Sequence, residues 1–392
     1  MRRPRWSPTL LPETQVLPVA MFLGSFAWSF VYVSLPFHIQ RMSTWDAAAT
    51  LRWTGWILGI SPLATVATAP LWGRFAGRGN PKTYYVATQY FQGVAFLGMA
   101  AARTLPEMFL ARLVLGFMGA ASTFAFISAG RADDAGEVRR QIAGMQSAMT
   151  VGQVIGPLCG AIAAARVGFR GSFVVGAAVL LACGLLVQFG VAASTTAPAA
   201  GGPRRRGHWR EVIVVSLLVL GASTQIFFLT SILPQVMAEL GVVAERTLEI
   251  GGLIVFASGA AAALGSVAAP RLAEVLPERR LVAALLIVSS IAVGALALSR
   301  GVWGYGALRF LQVLCLAPVF PIVVARIAHT AGGEAIGVIN AARIGASFVG
   351  PVVATSLLAS GSSTVLYIVL ALIGLACLPL SAMRAHVPAV AR

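Results

Sequence analysis

Long apolar stretches alternate with short polar ones along this chain, and they do so twelve times. Runs of about twenty mostly apolar residues, the length that crosses a hydrocarbon core as a helix, fall at 16–39, 53–73, 83–102, 106–129, 141–165, 171–193, 212–238, 250–270, 281–299, 303–325, 336–359 and 364–383. Little chain is left over for a domain outside the membrane. The longest polar interruption, 194–210, is rich in Ala, Pro, Gly and Thr and carries an arginine run. Such a composition buries nothing and reads as a flexible linker. It parts six spans from six. The pattern therefore predicts an all-α membrane protein with two pseudosymmetric six-helix bundles, 1–193 and 211–392, joined by that linker.

Within the spans a second pattern appears. Span 5, GMQSAMTVGQVIGPLCGAIAA, places Gly144, Ala148, Gly152, Gly156, Gly160 and Ala164 four apart. One face of this helix is nearly bare backbone, so another helix can lie very close. Pro157 sits in the same run, where neighbouring membrane helices can hold a helix together. The pattern returns in span 11 at Ala342, Ala346, Gly350 and Ala354, with Gly350-Pro351 standing where Gly156-Pro157 stood. Span 2 (Ser61, Thr65, Ala69, Gly73, Gly77) and span 8 (Ala257, Ala261, Gly265, Ala269, Ala273) do the same. Four smooth helices at matching places in the two halves lead us to expect that they form the seam between the bundles, along which the halves rock.

Composition fixes the solvent. The 392 residues are 58% hydrophobic and 11% charged, too apolar for a watery surface, so lipid surrounds most of the chain. The net charge of +16 is carried mostly by Lys and Arg in the loops and tails that face one side. That is the positive-inside asymmetry, which orients both termini to the cytoplasm and implies no nucleic-acid partner. The opening MRRPRWSP with its apolar run reads as an uncleaved first helix rather than a signal peptide. Cys159, Cys183, Cys315 and Cys377 fall inside spans without the spacing of a metal or redox motif, and read as small core residues.

Polar chemistry inside the spans is sparse. All thirteen acidic residues fall in loops or at helix ends, so no carboxylate stands at the midplane. Three arginines, Arg112, Arg309 and Arg343, lie within spans, where an arginine faces a water-filled cavity or a partner. Arginines without acids make for a positive cavity and a neutral or anionic substrate. Glu107, near Arg112, is then the best remaining candidate for a coupling acid, set against a plain helix-start role, and His38 reads as an interfacial side chain. No P-loop, GxSxG, HExxH or paired midplane carboxylates occur, so no enzyme, cofactor or metal is expected.

Three short motifs carry a family resemblance. The loop PLWGRFAGRGNPK resembles the signature between spans 2 and 3 of the major facilitator superfamily through Gly73, Arg78 and Lys82, although Gly77 replaces its aspartate and Asn80-Pro81 its Gly-Arg. That departure leaves open whether Asp133 or Asp134 partners Arg78. Arg112 followed by Gly116 and Gly119 is similar to the superfamily's span-4 signature, whose arginine takes part in proton coupling. Gly152-x-x-x-Gly156-Pro157-x-x-Gly160 is similar to the signature of its antiporters and drug exporters.

The resemblance implies a twelve-span fold in which span 2 meets 11 and span 5 meets 8. It implies a substrate cavity ringed by spans 1, 4, 7 and 10, here Trp28, Tyr32, Arg112, Phe124, Gln225, Phe228, Arg309, Gln312 and Phe320, with Gln146, Gln153, Asn340 and Arg343 added from spans 5 and 11. Gating and coupling would rest on Gly73, Arg78, Glu107, Arg112, Gly152, Gly156, Pro157, Gly160, Gly350 and Pro351. The expected activity is secondary transport by alternating access, exporting a small amphipathic drug-like or metabolite compound. Protons are the coupling ion the resemblance offers, and the setting is a monomer in a bacterial-type inner membrane. Two alternatives stay open: an organic-anion importer or exchanger, and a membrane receptor or scaffold that does not transport.

Overall fold

A computed structural model describes residues 13–129, 135–191, 209–328 and 333–382. Asp133, Asp134, His208, most of the linker and the side chain of Arg78 lie outside the described residues. Among the described residues there is helix and no strand, as lipid demands of a chain that must satisfy its own backbone. Among the described residues ten helical segments are long and apolar enough to cross a membrane. One of them, 140–190, holds two spans. Gly160 packs on Phe30, the Phe169 ring lies 5.3 Å from that of His38, and the Cys183 thiol donates back to the Ala20 carbonyl at 3.2 Å. The chain thus climbs alongside span 1 and returns, reversing at Gly168, whose φ of +76° suits glycine. Span 3, Pro81–Ala101, is less apolar, and it buries its polar positions Tyr85, Gln89 and Gln92. Twelve spans result.

Four spans are interrupted halfway. Span 1 is Glu13–Phe30 followed by Ser34–Met42, and span 4 is Leu105–Phe117 followed by Ala121–Ala129. Span 7 is Trp209–Phe227 followed by Leu229–Glu239, and span 10 is Val302–Leu316 followed by Val319–Ala328. Pro36 and Pro318 stand at two of these breaks, where the missing N–H leaves a carbonyl one turn earlier without its donor. Gly116 and Gly119 flank a third. The spans interrupted near their middles are the first and fourth of each half; span 12 breaks nearer its end, at Cys377, between Ser363–Ala376 and Leu378–Ala382.

By contact the chain forms two compact units. The first comprises Met1–Asp46, Trp56–Ala200 and Val243–Phe256, and the second Ala47–Gly55, Gly201–Val242 and Ala257–Arg392. Each has an apolar core at one end. In the first unit Val16, Met21, Tyr85, Phe124, Met145, Cys183 and Val187 pack together. In the second Val215, Leu218, Leu286, Leu316, Val323, Ile339 and Cys377 do so. Cys183 and Cys377 are therefore core thiols.

The small-residue stripes are used differently from expectation. The Gly152–Gly156–Gly160 face of span 5 lies against span 1, inside the first unit. A Cβ at Gly152 would stand 2.6 Å from the Phe22 carbonyl oxygen, one at Gly156 2.8 Å from that of Phe26, and one at Gly160 would strike the carbonyl of Phe30. In the second unit Gly350 of span 11 lies against Thr224, Phe227 and Phe228 of span 7 in the same way. Gly116 and Gly119 of span 4 meet Ser61 and Thr65 of span 2, and Gly265 of span 8 meets Leu314 and Pro318 of span 10. The stripes mainly cement neighbours within each unit. Two glycines meet seam-type partners: Gly252 of span 8 faces Ala161 and Leu158 of span 5 in the first unit, and Gly55 of span 2 faces Thr355 and Pro351 of span 11 in the second.

The stripe itself gives a test. A Cβ at Gly144 would meet only Pro18, at 4.0 Å, whereas one at Gly160 meets fixed backbone. Gly160→Ala should destabilise the folded protein by about 1–3 kcal/mol through overpacking, and Gly144→Ala should not. Thermal unfolding in detergent distinguishes them.

Candidate functional site

Polar side chains in the first unit converge on the interrupted span 4. Arg112 is 0% exposed. Its Nε donates to the Ile57 carbonyl at 3.1 Å and its Nη2 to the Leu58 carbonyl at 3.0 Å, both on span 2. Pro62 lies four residues beyond Leu58 inside the same helix, so the Leu58 carbonyl has no helical donor and the guanidinium supplies one. Span 2 reciprocates. Thr65 donates to the Gly116 carbonyl at 2.9 Å and Trp72 to that of Phe117 at 2.7 Å. Gln92 of span 3 donates to the Met118 carbonyl at 2.7 Å and accepts from the Trp28 indole at 2.6 Å. Tyr32, at the break of span 1, lies within electrostatic reach of Arg112.

The second unit has a matching knot at the break of span 7. Arg309 donates to the Gln225 carbonyl at 2.9 Å, to the Ile226 carbonyl and to the side-chain oxygen of Gln312, while Gln312 donates to the Gln225 carbonyl at 3.1 Å. The Gln225 side chain binds spans 9 and 12 by donating to the Leu370 carbonyl at 2.7 Å and accepting from Ser289 at 3.0 Å. The Arg309 guanidinium covers the Phe228 ring at 4.9 Å, and Phe228 packs edge-on to Tyr367.

These contacts revise the expected cavity lining. Arg112, Phe124, Gln225, Phe228, Arg309 and Gln312 are all buried, and the five besides Phe124 hold helices together. Phe124 is packed between Trp72 and Tyr84, with ring centroids at 5.8 and 5.6 Å. Trp28 is half-buried and tied to Gln92. Glu107 is exposed, and its carboxylate accepts from the backbone of Arg103 at 2.7 Å and Thr104 at 3.3 Å. With Thr104 it completes a capping box at the start of span 4, which leaves it unsuited to the coupling role expected of it. Gly73 is exposed with nothing packed on it. His38, near the end of span 1, is buried between Phe169 and Phe173, and among the described residues its Nε2 has no hydrogen-bond partner.

The polar residues that stay open are few. On span 5, Gln146 and Gln153 are exposed and Thr150 is partly so, at spacings of four and three that put them on one helix face. On span 11, Arg343 is half-buried. Among the described residues its partners are side chains: Asn340 Oδ1, at 3.3 and 3.2 Å from Nε and Nη2, and the Phe320 ring 4.9 Å away. No Asp or Glu occurs among the buried polar side chains of the described residues.

Twelve spans in two units, the first and fourth of each half broken, describe a transport fold. Comparison with known proteins decides which. The profile described as Major Facilitator Superfamily matches residues 18–244, more than half of the chain. The chain belongs to that superfamily. It is an integral membrane protein and a secondary transporter, not an enzyme. Multidrug resistance protein MdtG of Citrobacter koseri is 27% identical to it over 335 residues, 81% of this chain and 80% of that protein. The protein of the same name from Serratia proteamaculans is 26% identical over 308 residues, 74% of this chain and 72% of its own. Among solved structures the nucleoside transporter NupG superposes with a TM-score of 0.74 over 95% of this chain and 100% of its own, at 14% identity. At that identity the likeness is one of superfamily fold.

The sequence offered no clue to Ser61, Trp72, Gln92, Ser289 or Ser290 as binding partners. Pro62 was the available signal, since a proline inside a span announces an orphaned carbonyl one turn earlier. Because Glu107 is a cap, Glu107→Gln should leave the pH dependence of transport unchanged. Flux into vesicles across a series of pH values checks this.

Proposed function

We propose that this transporter exports amphipathic, neutral or anionic compounds from a bacterial cytoplasm across the inner membrane, by alternating access of halves 1–193 and 211–392 as a monomer, with both termini cytoplasmic. Its relatives from Citrobacter koseri and Serratia proteamaculans bear multidrug-resistance names, which supports a drug-like substrate and an exporting direction. The arginine bias of the loops supports the orientation.

One observation carries the charge preference. Arg343 is the span arginine that backbone carbonyls do not engage among the described residues, and it is partly open, with Asn340 and Phe320 beside it. A guanidinium, an amide and an aromatic face suit a ligand that has both an anionic or hydrogen-bonding head and an apolar body. Exposed Gln146 and Gln153, with the partly exposed Thr150 between them, give the first unit a polar strip on a mainly apolar helix, which fits a water-lined transport path rather than lipid. Proton antiport belongs to the same proposal, with the coupling group sought away from Glu107.

The test is flux in reconstituted vesicles with Nile red as neutral probe, carboxyfluorescein as anion and ethidium as quaternary cation, with and without an imposed pH gradient. The neutral and anionic dyes should move, faster with the gradient, and ethidium should not. Arg343→Gln should reduce anion flux by about tenfold, equivalent to one charge-assisted contact of about 1.4 kcal/mol, and leave Nile red within twofold. Strong ethidium flux with an inert anion defeats the reading.

A further inference from the structure

Arg112 is buried, with no Asp or Glu buried among the described residues, and it sits in a motif whose arginine the resemblance assigns to coupling. Its geometry argues for a different task. Two adjacent carbonyls, Ile57 and Leu58, take its Nε and Nη2, and the second of these is the carbonyl that Pro62 deprives of its helical donor. A rigid planar fork is pre-organised to hold two neighbouring carbonyls from one side chain. The surrounding contacts run in the opposite direction: Ser61 donates to the Arg112 carbonyl, and Thr65 to that of Gly116. Gly116 and Gly119 remove the side chains that would keep the two backbones apart. Spans 2 and 4 are thus stitched by donors from both sides over three turns. Among the described residues the third guanidinium nitrogen, Nη1, has no hydrogen-bond partner.

We propose that Arg112 is a positioning residue, one that supplies the backbone donor Pro62 lacks and thereby locks spans 2 and 4 into a single body that moves as a unit during transport. Its hydrogen bonds do this work without contact with substrate or transfer of a proton. The inference uses the superfamily membership and does not depend on which compound is carried.

The restoring substitution lies on the other helix. Pro62→Ala returns an N–H to the Leu58 carbonyl, so it should make Arg112 less needed. Arg112→Met, Pro62→Ala and the double variant are compared by thermal unfolding in detergent and by Nile red flux in vesicles across pH. Arg112→Met should melt below the parent and lose at least tenfold in flux. In the Pro62→Ala background the same substitution should lower melting by less than half as much, hold flux within about threefold of Pro62→Ala alone, and leave the pH midpoint where it was.

An Arg112→Met protein that melts at or above the parent overturns the proposal, because removing a buried charge that anchors nothing relieves its desolvation. So does a double variant with recovered melting and a flattened pH profile, which would place the charge in coupling. Where Pro62→Ala yields no folded protein, Arg112→Lys decides: it keeps the charge without the fork and should melt below the parent, and parental melting with parental flux sinks the idea. The melting arm stands whether or not Nile red is carried.

Discussion

In hydrocarbon no water waits to take up a carbonyl that its helix has released, so each such group needs a partner built into the protein. The placement of polar residues in this transporter follows from that constraint. Spans 1, 4, 7 and 10 are interrupted, and at the breaks in spans 4 and 7 the freed carbonyls are met from neighbouring spans. Those of Phe117 and Met118 accept from Trp72 and Gln92, while that of Gly116, already bonded to the Gly119 N–H, takes a second donor from Thr65. Those of Gln225 and Ile226 accept from Arg309, helped by Gln312. A polar side chain in the membrane is costly alone, but here each cost offsets a larger one, an orphaned peptide group. The same bonds tie the broken helices to unbroken ones, which is how a span can be interrupted without becoming loose.

Short donors work only across short gaps, and the glycines create them. Ser25 reaches the Met149 carbonyl at 2.9 Å and Ser29 that of Gly152 at 3.1 Å because Gly152, Gly156 and Gly160 let span 5 settle onto span 1. Glycine stripe and serine pair are one device, since the first brings the backbones together and the second bonds them. This explains why the stripes turn inward to their own unit. A face that is to slide should lack such bonds, and the face that carries them is one that should not move.

Reading the sequence recovered the spans, because length and apolarity are local properties, and it recovered the superfamily through motifs around Gly73, Arg112 and Gly156. It could not rank the three span arginines. Arg112, Arg309 and Arg343 look alike in one dimension, each a cation in an apolar run, and what separates them is which neighbour presents an unpaired carbonyl. Pro62 advertises one, yet nothing in the sequence places span 4 beside it. Glu107 was legible, since Thr104-Leu-Pro-Glu107 has the spacing of a capping box, and of its two readings, helix start and coupling acid, the local one matches the structure. Phe124 failed for a plainer reason: an aromatic ring carries no mark of whether it faces a core or a cavity. The breaks in spans 4 and 7 were likewise hidden, having no proline at the break itself.

Assigning Arg112 and Arg309 to helix anchoring leaves the proposed preference against cations standing, for a reason that separates two ranges of the same charge. Hydrogen bonding to carbonyls uses the directional, short-range capacity of the guanidinium, whereas its unit charge is not cancelled by neutral dipoles. In surroundings of low dielectric that charge is felt over longer distances than in water. Three such charges with no buried carboxylate among the described residues bias the interior against a cation wherever it binds. Contact recognition is a narrower matter and falls to the arginine whose donors are least engaged by backbone, Arg343. On the proposed reading, then, Arg112 and Arg309 hold helices, Arg343 meets the cargo, and all three set the sign of what enters.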